Sequence, residues 1–190
     1  MTLPPFTEQG VLPSGDYPLS LEELKGSHLV TGKGNSTTWD RGWREMLVEN
    51  LGILVRQLWQ AGLDEIYIDG SFLEDRDHPN DIDGYFHCDL LYLASGQLQT
   101  YLNTLDPYKI WTWDHGRRRY DKDTHKKQLP MWHQYLVELY PHYPGMPCGI
   151  ADEFGNEQEF PAAFRKARLR QTPNGLAMLP KGIVKILKDV

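Results

Sequence analysis

Two carboxylates separated by one apolar residue, Asp81-Ile82-Asp83, follow the pair Gly70-Ser71 after nine intervening residues. In an extended strand the side chains at i and i+2 share a face, so Asp81 and Asp83 are expected to project together while Ile82 turns into the core. Carboxylates so placed repel each other unless a cation lies between them. A hard divalent ion such as Mg²⁺ accepts one or two carboxylates together with phosphate oxygens. Gly70 allows the backbone to approach a ligand closely, so the amides beside it and the Ser71 hydroxyl can hold a phosphate. The stretch Glu65–Phe86 thus predicts a phosphate end and a metal end within one unit.

The elements that must position this unit are legible around it. Ile66-Tyr67-Ile68 and Ile82 through Phe86 read as two strands flanking a polar excursion, Leu73–Asn80. Before them, Trp43, Leu47, Leu51, Leu54 and Leu58 recur at intervals of three and four, predicting a helix with Thr37 or Thr38 as N-cap and Gly62 as the C-terminal stop. Arg41, Arg44 and Arg56 are read as charges on its solvated surface. Ser20-x-x-Glu23 has capping-box spacing and predicts a short helix ending near Gly26. Gly32–Ser36 is read as a flexible loop.

Beyond the unit, Ser95 is expected to cap a helix carrying Leu98, Tyr101, Leu102 and Leu105, stopped by Asp106-Pro107. Tyr108–Asp114 alternates and predicts a third strand ending in an acid. His115–Lys127 lacks periodicity and is read as a loop with a basic run, Arg117–Arg119, Lys122, Lys126 and Lys127, beside the stacking surfaces of Trp113 and Tyr120. Pro130 opens a predicted helix with Trp132, Tyr135, Leu136 and Leu139 on its buried side, ending before Pro141. Phe160–Leu169 is expected to form a short basic helix, and Pro173-Asn174-Gly175 a turn. Gly182–Leu187 is expected to form a strand at a sheet edge, with Lys185 facing water. Helices and strands in mixed order predict an α/β or α+β fold, a mixed β-sheet with helices packed on it.

The 190 residues predict a single domain, 1–190, with an extended N-terminal arm over Met1–Tyr17, where Pro4, Pro5, Gly10, Pro13 and Gly15 disfavour regular structure. A formal charge of −6 argues against indiscriminate binding to nucleic acid or anionic membranes, though not against a local basic patch. No apolar run approaches the roughly 20 residues that span a bilayer, so no membrane partner and a cytoplasmic location are expected. Cys88 and Cys148 are expected to be buried, reduced thiols. His115, His125, His133 and His142 lack mutual ligand spacing. The chain has no G-x-x-x-x-G-K-[S/T] loop and no G-x-S-x-G elbow, which excludes P-loop kinase chemistry and gives acyl transfer no support.

Gly70-Ser71, the nine-residue spacer and Asp81-Ile82-Asp83 resemble the signature of the nucleotidyltransferase superfamily related to DNA polymerase β. The likeness extends to a group of small bacterial and phage nucleotidyltransferase-like proteins through Gly10–Gly15, Asp69–Phe72, Pro79–Asp83 and Pro180–Ile183. The resemblance implies the nucleotidyltransferase fold and a Mg²⁺- or Mn²⁺-dependent enzyme. Such an enzyme moves a nucleoside monophosphate from a nucleoside triphosphate to a hydroxyl of a protein or RNA acceptor. Relatives of this kind work in defence or toxin–antitoxin systems, which implies a partner protein. It further implies Asp81 and Asp83 as metal ligands, and Gly70, Ser71 and Phe72 as the holders of the β and γ phosphates. A third carboxylate is expected on a later neighbouring strand, Asp114 first, with Asp89 and Asp121 as alternatives. Asp69 departs from the wider signature, which carries an apolar residue there. The alternative reading is a catalytically idle module that binds nucleotide or protein.

Overall fold

The structure, a computed structural model, describes residues 3–32, 36–167, 170–172 and 175–188, and for residues 170–172 and 176 the backbone alone. The expectations for Lys33–Asn35, Arg168-Leu169 and Pro173-Asn174 lie outside the described residues. The chain forms an α+β domain around one mixed five-stranded sheet, as its alternating elements predict. Its strands are β1 (Asp16–Leu19), β2 (Ile66–Asp69), β3 (Ile82–His87), β6 (Val137–His142) and β9 (Ile183–Ile186), in the order β1-β9-β2-β3-β6. β2 pairs antiparallel with both β3 and β9, whereas β1–β9 and β3–β6 are parallel. Each edge strand contains a proline, Pro18 in β1 and Pro141 in β6, which removes a donor where further pairing would be harmful.

One sheet face carries Ile66, Ile68, Ile82, Phe86, Val137, Leu139, Val184 and Ile186 into the main core, where α3 (Arg41–Gln60) lays Leu47, Leu51, Leu54 and Leu58 against them. Two short helices, α1 (Leu21–Gly26) and α2 (His28–Thr31), extend this layer. The capping box forms, with the Ser20 hydroxyl accepting from the Glu23 amide and the Glu23 carboxylate from the Ser20 amide. Asp40 caps α3 in place of the expected threonines. After β3 come α4 (Leu90–Ala94) and α5 (Gln97–Leu105), the latter begun at Gly96.

Five expectations are corrected. The N-terminal segment is no surface arm: Leu3, Phe6, Val11 and Leu12 are buried, and Asp16–Leu19 is a sheet strand. Tyr108–Asp114 is not a strand, because Trp111 turns into the core and Asn103 satisfies both its backbone amide and its carbonyl. The basic loop contains a small hairpin, β4 (Arg119–Asp121) with β5 (Lys126–Gln128). The helix after Pro130, α6 (Pro130–Tyr135), stops at Leu136 in the left-handed region (φ 53°), and Val137–His142 enters the sheet instead. β9 likewise lies inside the sheet, with Lys185 ion-paired to Glu65.

The opposite sheet face is covered by α7 (Phe160–Ala163), whose Phe160 and Ala163 join Phe164, Tyr85 and Ile183 in a second apolar cluster. A further two-stranded unit, β7 (Arg170–Thr172) with β8 (Gly175–Ala177), precedes β9. Among the described residues, no helix is long and apolar enough to cross a membrane.

Candidate active site on the second sheet face

β2 ends at Asp69, and Gly70 reverses the chain at φ +82° into a single 3-10 turn, Ser71–Leu73. A Cβ on Gly70 would lie 2.7 Å from Asp83 Oδ2, so only glycine brings this turn against the carboxylate without a shift. The following excursion is held from α3. Arg44, read from sequence as a surface charge, is fully buried, and its guanidinium donates to the carbonyls of Leu29, Phe72, Glu74 and Arg76. It also lies over the rings of Trp39 and Phe72. Burial lowers its pKa to about 9. Trp43 Nε1 donates to Pro79 O (2.6 Å), which pins the far end of the excursion.

Alternation in β3 turns Ile82, Gly84 and Phe86 one way and Asp83, Tyr85 and His87 the other. Asp83 lies directly across β2 from Asp69 and directly across β6 from Glu138. Glu138 was missed in the sequence because it falls within the segment assigned to a helix. The signal was the period-two alternation of Val137-Glu138-Leu139-Tyr140. It is 4% exposed, and its carboxylate accepts from the Leu129 amide (2.8 Å), from Tyr140 Oη and from Arg118, whose Nη1 lies 3.4 Å away. Arg118 also donates to Tyr140 Oη (2.8 Å). Its positive charge acts on Asp83 as well, and these partners raise the already high guanidinium pKa.

Asp81 stands one residue before β3, with Oδ2 accepting from Trp132 Nε1 (2.8 Å). The three candidates for a third carboxylate lie elsewhere. Asp114 is exposed and accepts from the Gly116 amide (2.8 Å), Asp89 caps α4, and Asp121 accepts from Thr124. The expectation for Asp114 rested on a strand that does not form, and Glu138 occupies the position beside Asp83 instead. Among the described residues, no three His, Cys, Asp or Glu side chains are gathered closely enough to hold a metal ion. The oxygen donors on this face are nonetheless of the type that a hard cation takes. Glu138 and Asp81 would have to exchange their present partners to ligate one.

Asp69 has a defined place. Lys181 Nζ, buried with it, lies 2.7 Å from Asp69 Oδ1, 3.5 Å from Glu74 Oε1 and 3.3 Å from the Gly70 carbonyl. Burial lifts the Asp69 carboxyl to about 6 although Lys181 and the Gly70 amide oppose the shift. Next to Lys181, the Gly182 amide donates to Leu12 O, and a Cβ there would lie 2.3 Å from Pro13 O. Val11 bridges Glu74 in turn. The four stretches Gly10–Gly15, Asp69–Phe72, Pro79–Asp83 and Pro180–Ile183 therefore surround the turn and its acids.

The last three of them line part of a cleft of about 1120 Å³. Its lining is polar at Gly70, Ser71, Asp83 and Lys181 and apolar at Ile150, Phe160 and Met178. Trp113 joins the wall, its Nε1 fixed by Leu139 O (2.8 Å). Cys88 and Cys148 are free, and burial pushes the Cys88 thiol up to about 11, away from nucleophilic use.

The chain belongs to a family of unknown function (DUF6932), which it matches over residues 4–187. Among curated proteins and solved structures, none matches it.

Proposed function

We propose that the cleft transfers a nucleoside monophosphate from a nucleoside triphosphate to a hydroxyl on a protein or RNA acceptor. The observation that carries this reading is the in-register pair Asp83 and Glu138 on adjacent parallel strands, with the Gly70-Ser71 turn packed against Asp83. A glycine turn against paired acids suits a phosphate whose charge is neutralised by a hard cation. Asp81, Asp83 and Glu138 would hold Mg²⁺ or Mn²⁺, which when bound neutralises phosphate charge and polarises the phosphorus. Ser71 and the amides at Gly70 and Phe72 would orient the β and γ phosphates. Most of the rate would come from this positioning and charge neutralisation. In the transfer, the acceptor oxygen bonds to the α-phosphorus, the bond from phosphorus to pyrophosphate breaks, and a site carboxylate takes the acceptor proton. Glu138 is the best shielded of those carboxylates.

A second reading, an idle module that binds nucleotide or a partner protein, is favoured by one observation. Glu138 is already satisfied by Arg118, Tyr140 and the Leu129 amide, and Asp81 by Trp132.

Incubation with α-labelled nucleoside triphosphates, Mn²⁺ or Mg²⁺ and host lysate separates the two. The transferase reading expects labelled acceptor with wild type and a loss of about 100-fold or more in Asp83→Asn and Glu138→Gln, the size typical of removing a group that stabilises transition-state charge. Equal labelling by wild type and Asp83→Asn would overturn it. Nucleotide binding without transfer would establish the idle module.

A further inference from the structure

A second pocket, of about 280 Å³, opens on the other side of the basic loop. Lys109, Arg117 and Arg119 line it together with Gln99, Thr112 and Pro130, and none of the described residues lining it is acidic. In a chain with a formal charge of −6, this pocket differs from the cleft, whose lining cations Arg76, Arg118, Lys166 and Lys181 stand among four acids. None of the three has a side-chain ion pair or hydrogen bond among the described residues. The neighbouring acid, Asp114, is turned to the Gly116 amide.

The walls are fixed in advance. Lys109 sits in the left-handed region (φ 54°), its amide donating to the carbonyl of Asp106, whose carboxylate is buried against Gln57 and Tyr135. Asn103 holds Trp111 by donating to its carbonyl (2.7 Å) and accepting from its amide (3.0 Å). The Arg119 carbonyl is bonded to His133 Nε2 (3.0 Å). Arg118 is extended (φ −65°, ψ 130°), so Arg117 and Arg119 face this pocket while Arg118 turns to Glu138. Along the hairpin Lys126 shares the face of Arg119, while the 57% exposed Tyr120 and Lys127 stand on its other face and exposed Lys122 lies at its tip.

We infer that this pocket binds a backbone phosphate of a single-stranded nucleic acid. Two arginines and a lysine suit the tetrahedral oxyanion by forked and point-charge contacts. Lys126, on the Arg119 face of the hairpin, offers a contact to an adjoining phosphate, and a single strand that crosses the hairpin edge meets Tyr120 as a stacking face. If the neighbouring cleft transfers a nucleotide, this assignment makes RNA the acceptor, a step that rests on the transferase reading. The phosphate site itself does not, because binding is read without turnover.

The test is fluorescence anisotropy with a labelled 12-nucleotide oligouridylate. It compares wild type, the triple variant Lys109→Gln/Arg117→Gln/Arg119→Gln, and Lys188→Gln as an exposed cation outside the pocket lining. The triple variant is expected to bind about tenfold or more weakly, and its slope of log affinity against log salt to flatten by about 0.7, the contribution of one phosphate contact on a single strand. Lys188→Gln is expected to bind as wild type does, whether or not transfer occurs. All three substituted residues are exposed, and unchanged circular dichroism would confirm folding. Wild-type affinity in the folded triple variant would overturn the site. Displacement of the RNA by inorganic phosphate alone at low millimolar concentration would reassign it to a free anion. Equal affinity for polyglutamate would reassign it to an acidic protein.

Discussion

Asp83 and Glu138 stand side by side on β3 and β6, in register and on one face, with Arg118 as the cation that serves both. Removing one partner of a buried pair strands the other in a low-dielectric site. Arg118→Met should therefore destabilise the fold by about 2 kcal/mol, below the full buried-pair cost because Arg118 is partly exposed. Glu138→Gln in the same background should recover at least half of that. Urea denaturation of the two single variants and the double variant measures the coupling, and simple additivity would dissolve the relationship.

Gly70→Ala combines a positive φ with a Cβ placed 2.7 Å from Asp83 Oδ2. A loss of about 1–3 kcal/mol is expected from backbone strain alone. Nucleotide affinity should fall more than it does for Gly62→Ala, where φ is +80° and nothing lies within 4 Å of the added carbon. Equal effects of the two variants on affinity would separate Gly70 from the site.

Arg44 satisfies four carbonyls from α2, the 3-10 turn and the excursion with one rigid fork. Arg44→Lys keeps the charge and loses the fork, so it should cost nearly as much stability as Arg44→Met, about 3 kcal/mol. Limited proteolysis should then cut within Leu73–Asn80. Full recovery by lysine would show that charge alone matters.

The Asp69 carboxyl titrates near 6 in the folded protein against about 4 unfolded. Below both values the carboxyl is protonated in either state and contributes no penalty. As the pH rises from about 4 to about 6 the folded state retains a proton that the unfolded state has lost, so stability falls across that window. At about 1.4 kcal/mol per unit, wild type should lose on the order of 2–3 kcal/mol relative to Asp69→Asn between pH 4 and pH 7. Chemical denaturation at stepped pH measures this difference, and parallel curves would refute it.

The sequence disclosed those parts of the site that depend on local chemistry. Gly70-Ser71 and Asp83 could be read because a glycine turn and strand alternation act over a few residues, and the mixed sheet followed from the order of elements. Glu138 and Lys181 could not. A six-residue apolar-polar alternation after a proline-led helix fits either period until Leu136 adopts its left-handed conformation. Tyr108–Asp114 shows the converse, since its alternation is genuine but the buried network of Asn103, Gln57 and Asp106 draws Trp111 and its neighbours away from any ladder. Arg44 was misplaced because its helix position cannot reveal which carbonyls a distant loop brings to it.

β9 is threaded between β1 and β2, although β1 precedes it by more than 160 residues in the chain. During vectorial synthesis β1 has no neighbour to pair with, and β2 is paired on one side only, until Ile183–Ile186 has left the ribosome. At 5–20 residues per second that is a wait of roughly ten to thirty seconds, with two β-ladders left open. The nascent chain thus carries unpaired strand edges until late in synthesis, and chains terminated before residue 183 should reach the insoluble fraction rather than fold in part.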